Sequence, residues 1–183
     1  MSAGHGHADH GGGNKGIALL ISVLALVLAF SETLGKAAQT AALSSNIEAS
    51  NLWAFFQAKT IRQTTMRTAA DQLGVAAETE KSKKQIDAWR KTAERYEDEP
   101  ETREGRKQLA ERAKNAERKR DKAFAAYHHF ELSSAAVQIA IVLASASIIT
   151  GMVALVWGAG VLGLIGVAFC VIGFFFPTAV HLF

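Results

Sequence analysis

From Leu132 to Phe183 the chain runs 52 residues without a single Asp, Glu, Lys or Arg. A soluble domain of 183 residues has no interior large enough to hide such a stretch, so its surroundings must be lipid. Fifty-two residues hold two ~20-residue helices across a ~30 Å hydrocarbon layer, plus a tight connection. Open strands and loops are excluded there, because lipid cannot satisfy their backbone groups. Trp157-Gly-Ala-Gly160 offers a turn, with Trp157 at the depth where indoles favour the membrane–water interface. The expected spans are therefore 132–156 and 161–180, the latter ending at Phe174, Phe175, Phe176 and Pro177.

The averages, 49% hydrophobic with a net charge of +3, conceal this segregation. Of 37 acidic and basic residues, 34 lie between Lys36 and Glu131. Two prolines, one cysteine and long Ala/Glu/Lys/Arg tracts exclude a disulfide scaffold and a β-rich fold. Residues 1–16 are rich in Gly and His and too poor in apolar surface to order themselves. Ile17 to Phe30 is apolar apart from Ser22, and with Leu34 it makes a short first span, 17–34, that includes Glu32. A cleavable leader ending near Ser31 is the competing reading, but Lys36 to Leu43 continues the helical pattern without a breaker.

Residues 35–131 form a charged, coiled-coil-like helical segment outside the membrane, broken near Gly74 and across 97–105. The expected pieces are one helix from the first span to about Leu73, a second near Ala76–Tyr96, and a third from about Glu101 into the second span. Pro100 suits the first turn of that third helix. The class is thus all-α: three transmembrane helices and one helical head.

Apolar stripes mark faces that pack against other helices. Leu52, Phe55 and Phe56 lie on one side of the first helix. Leu109, Ala113, Ala116 and Phe124 lie on one side of the third, and Ile86, Trp89, Ala93 and Tyr96 on the second. If the first and third helices are antiparallel, Glu48 falls level with Arg120, and the two form a buried pair or both reach water. Lys59 is expected to lay its stem across the aromatics with its ammonium in solvent. Within the membrane, Gly163, Gly166, Cys170 and Gly173 make a small-residue stripe. Its expected partner is Ala140, Ala144, Ser147 and Gly151.

Basic residues crowd the approach to the second span (Arg112, Lys114, Arg118, Lys119, Arg120 and Lys122), whereas none follows the third. That asymmetry places the middle segment in the cytoplasm. The same region, Arg106–Lys122, suits anionic lipid headgroups; lacking interleaved aromatics, it does not suit nucleic acid.

Candidate chemistry is sparse. His5, His7 and His10 are metal-ligand types with no fold to order them. His128 and His129 sit at the membrane interface. Glu32 is an intramembrane carboxylate expected to pair with Lys36 four residues on. Gln138 is the strongly polar group of the second span, and Cys170 is a lone thiol in an apolar helix. No phosphate-binding loop, HExxH, G-x-S-x-G or CxxC occurs, so neither an enzyme nor a cofactor is expected.

The run Ser50-Asn-Leu-Trp-Ala-Phe-Phe-Gln-Ala-Lys-Thr-Ile-Arg-Gln63 resembles a bacterial membrane family catalogued as domain of unknown function 4337. The closing run Gly163-Leu-Ile-Gly-Val-Ala-Phe-Cys-Val-Ile-Gly-Phe-Phe176 also fits that family. The resemblance covers about Ile17 to Phe176. It implies the same order of one span, a charged helical middle and a two-span hairpin, and it implies no activity. Two functions follow as expectations. The first is a non-enzymatic inner-membrane scaffold that binds itself or another membrane protein through Trp53, Phe55, Phe56 and Lys59. The second is a small ion- or metal-handling protein using Glu32, Gln138 and the tail histidines.

Overall fold

A computed structural model describes residues 11–76 and 79–179. Among these the chain is all helical: α1 (Gly11–Val75), α2 (Glu80–Glu97), α3 (Arg106–Thr150) and α4 (Val153–Phe175). Three of the four, α1, α3 and α4, are long and apolar enough to cross a membrane. The chain divides into two compact units. One is Ala41–Asp121; the other comprises the described residues up to Thr40 and those from Lys122 onward.

In the apolar unit, Leu24 of α1, Val137, Ala140 and Ala144 of α3, and Ala159 of α4 form one buried cluster. Small residues set the helix spacing. A Cβ on Gly173 would lie 2.9 Å from that of His129, and one on Gly166 would run into Val137. A Cβ on Gly163 would lie 2.6 Å from Leu24 Cδ2. The small-residue stripe of α4 therefore serves two neighbours: Gly166 and Gly173 admit α3, while Gly163 admits α1. Ala140 and Ala144 are fully buried in the shared cluster. At the crossing of all three helices Ser133 Oγ donates to the Gly166 carbonyl at 2.7 Å. Its single proton being committed there, Ser133 accepts from the Ser31 hydroxyl at 2.8 Å. Both serines are fully buried.

The hairpin turn departs from expectation. It lies at Gly151-Met152, so the second span ends at Thr150 and the third begins at Val153. Gly151 has φ +68°, a left-handed conformation that closes a helix without the Cβ penalty other residues carry. Trp157, Gly158, Ala159 and Gly160 instead belong to α4, where Ala159 is fully buried and a Cβ on Gly158 would touch Leu143. Glycine near an indole marked part of a continuous helix rather than a turn. The 23 residues of α4 rise about 35 Å, enough for the hydrocarbon layer.

Two other boundaries shift. The helix already runs from Gly11, so residues 11–16 of the expected tail are helical, and residues 1–10 lie outside the described residues. Pro100 sits in the turn before α3 rather than in its first turn, because the chain must reverse between Glu97 and Arg106. α2 begins at Glu80 rather than Ala76, behind Thr79, whose hydroxyl accepts from Ser82 N–H at 3.1 Å.

In the charged unit, Ala49 and Leu52 of α1 pack on Leu109, Ala113 and Ala116 of α3, with Trp53 and Phe56 against them. α2 adds Ile86 and Ala93. The core is thin because alanine dominates it, which leaves polar side chains to fix the remaining geometry.

Candidate functional site

The run Trp53–Gln63 turns one face of α1 toward α2 and α3. Residues 53, 56, 59, 60 and 63 recur at helical spacing, so their side chains stand in one column. Trp53 Nε1 donates to Glu117 at 2.8 Å, and its ring meets Phe56 edge-on at 5.4 Å. Below them Arg106, the first residue of α3, lies 4.9 Å above the Phe56 ring. Its Nε donates to Thr60 at 2.9 Å, and its Nη1 donates to both Gln63 Oε1 and Glu97 Oε2 at 2.6 Å. Gln63, 2% exposed, returns its amide protons to the Ala93 carbonyl at 3.0 Å and to Glu97 at 2.9 Å. Side chains from all three helices thus close a network in which every buried polar atom of Gln63 is matched.

Lys59 completes the column. It is 6% exposed, with Nζ 3.2 Å from Glu99 and 3.9 Å from Glu104. The ammonium also stands 5.5 Å from the Phe55 ring centroid and 5.2 Å from that of Tyr96. It does not reach solvent as expected: the segment between α2 and α3 carries the carboxylates that meet it. That segment turns sharply. Arg103 adopts φ 58°, and a Cβ on Gly105 would collide with the Glu99 nitrogen and the Gln108 side chain.

Two carboxylates here are held below their ordinary values. For Glu97, ordinarily 4.5, the hydrogen bond from Gln63 is the main cause; burial opposes it and Arg106 reinforces it. For Asp98, ordinarily 3.8, hydrogen bonds from Gln108 and Lys107 act in that order.

Of the expected contact surface, Trp53, Phe56 and Lys59 are therefore engaged within the chain, and Phe55 alone of the four is exposed. Glu48 and Arg120 do not form a buried pair; of the two expected outcomes, the structure has both reaching water. Arg120 reaches α1 at Asn46, 3.4 Å away, and binds its neighbour Asp121 at 2.8 Å, while Glu48 is exposed. Matching by height placed Arg120 within a turn of its true partner; the rotation of α1 turned Glu48 away. Likewise Glu32 accepts from Gln138 at 3.4 Å instead of pairing with Lys36. All three line an open cleft of about 440 Å³ beside Tyr127 and Glu131.

His128 lies 3.6 Å from Glu131 and packs on Tyr127. His129 is 1% exposed, stacked on Phe169, and neither ring nitrogen has a hydrogen-bond partner among the described residues. Cys170 is half-buried on α4. His5, His7 and His10 lie outside the described residues. Sequence reasoning missed Arg106, Gln63 and Glu97 as a network, and Ser31 with Ser133. A Gln on an apolar face three helical steps from Trp53 was the available signal.

Against known families, the profile described as Domain of unknown function (DUF4337) matches residues 13–176. The chain belongs to this family. DUF4337 thus takes in the column at Trp53–Gln63, the serine crossing and both helices of the hairpin. No curated protein and no solved structure is similar enough to match.

Proposed function

We propose that this DUF4337 chain is a non-enzymatic scaffold of the bacterial inner membrane. Its helical head, on the cytoplasmic side, assembles with itself or with another membrane protein. The observation that supports the reading is the use made of the most distinctive sequence run. Trp53, Phe56, Lys59, Thr60 and Gln63 are all engaged in bracing α1 against α2 and α3, which favours a rigid platform over a reactive site. The basic run Arg106–Lys122 adds attraction to anionic headgroups, about 1 kcal/mol for each basic residue near the surface. Membrane-permeant cross-linking of the full chain in native membranes tests the proposal. A strict monomer with no captured neighbour overturns it.

One observation favours the second reading, a small ion- or metal-handling protein: Glu32 and Gln138 do meet, beside Lys36 in the same cleft. On that reading Glu32→Gln changes ion flux into liposomes, or deletion of residues 1–14 changes metal sensitivity. Unchanged values in both remove it.

A further inference from the structure

The side of α1 facing away from α2 and α3 carries a second pattern. Ile47, Ala54, Ile61 and Thr68 recur every seven residues, with Asn51, Ala58, Thr65 and Gln72 four residues after each. The alternating four-and-three spacing is that of a coiled-coil seam, sustained for about 38 Å of helix. All eight side chains are exposed, Ile47 at 61% and Ile61 at 66%. None is charged, and the five charged residues of this stretch, Glu48, Lys59, Arg62, Arg67 and Asp71, all fall outside the stripe. A solvated helix face has no need to exclude charge, whereas a buried seam does.

We propose that this stripe is the contact between two copies of the chain, their α1 helices running parallel. The proposal rests on the scaffold reading and identifies the partner as the chain itself. A repeat of 3.5 residues per turn is complementary to another helix with the same repeat, and a symmetric seam of uncharged residues meets its own image without repulsion. The apolar stretch at the start of α1 anchors every copy in one bilayer the same way round, so neighbouring α1 helices run in the same direction. In that parallel register Asn51 faces Asn51 of the second copy, the arrangement by which a buried Asn fixes register. The flanking residues agree. Leu43 falls opposite the second copy's Glu48, Ser50 opposite its Phe55 and Gln57 opposite its Arg62, so no like charges oppose each other. Ala54 and Ala58 let the backbones approach. With two isoleucine layers the seam is weak in dilute solution, and confinement to a membrane raises the effective concentration it needs.

Cysteine scanning of the full chain in native membranes, with Cys170→Ala as background, tests this. Ala54→Cys and Ala58→Cys are expected to give a disulfide-linked homodimer at least ten times more readily than Arg67→Cys on the other side of α1 or Gln85→Cys on α2. Ile47→Lys with Ile61→Lys, both at exposed positions, is expected to cut that yield ten-fold while leaving the helical circular dichroism unchanged. Equal yields at all four positions, or unchanged yield with the two lysines, overturn the seam. If Ala54→Cys captures a different protein, the self-contact fails and the scaffold reading stands; a chain that stays monomeric under permeant cross-linker sinks both.

Discussion

Lys59 and Glu97 show how a thin core is stiffened by charge. A buried ammonium is tolerated only where its partners are held in place, and Glu99 and two aromatic rings do that here. Lys59→Met keeps the stem's packing and leaves Glu99 with Arg95, 3.7 Å away. It is expected to cost about 1 kcal/mol, whereas Lys59→Ala also opens a cavity and is expected to cost about 3 kcal/mol. Denaturant unfolding of the full chain in detergent, followed by circular dichroism, separates the two; equal losses would mean the charge matters more than the packing. Glu97 supplies a pH dependence. Its folded-state pKa lies below the ordinary 4.5, so the unfolded chain takes up the proton first. The stabilisation is complete above about pH 4.5, fades as pH falls and is gone once the folded-state value is passed. Thermal midpoints measured from pH 7 to pH 3 should therefore drop at the acid end, and Glu97→Gln should flatten that part of the drop.

Elements were legible where hydrophobic period and charge agreed, and obscure where glycine had two meanings. The three helices long and apolar enough to span a membrane, and the helical middle, follow from the charge-free stretches and the spacing of Leu52, Phe56, Leu109 and Ala113. The end of α1 at Val75 and the break at 98–105 follow from Gly74 and Pro100. The turn did not, because Gly151 and the pair Gly158 and Gly160 look alike in sequence; the left-handed φ at Gly151 distinguishes a reversal from glycines within a continuous helix. The polar column was half legible. Trp53 and Lys59 stand out by type, but a helix–helix network depends on rotation and register, which no local pattern carries, so Arg106 and Gln63 went unpaired. Substitution can now assign the turn directly. Gly151→Val forces a side chain into the left-handed region and is expected to cost about 1–2 kcal/mol. Gly160→Ala, with open space at its Cβ and helical backbone, is expected to be neutral or to stabilise by up to about 1 kcal/mol. Thermal unfolding in detergent micelles decides: were Gly160 the costlier site, the turn would have to move back toward Trp157.

For the molecule as a whole, the decisive arrangement is that ionic residues fill the sequence between the first and second spans while the Gly151–Met152 turn carries none. Eight basic residues between Arg106 and Lys122 resist translocation when they stand just before a span, so the orientation proposed above keeps that segment inside and carries the turn across. Both sides are read in one experiment. With Cys170→Ala as background, Met152→Cys at the 55% exposed turn and Thr102→Cys on the exposed surface before α3 report opposite sides. A membrane-impermeant maleimide applied to intact cells, with the outer membrane made permeable, should label Met152→Cys and leave Thr102→Cys untouched until the inner membrane is opened. The reverse pattern would invert the molecule, turning its head outward. The parallel seam on α1 would survive the inversion, because it needs the copies to share an orientation and is indifferent to which one.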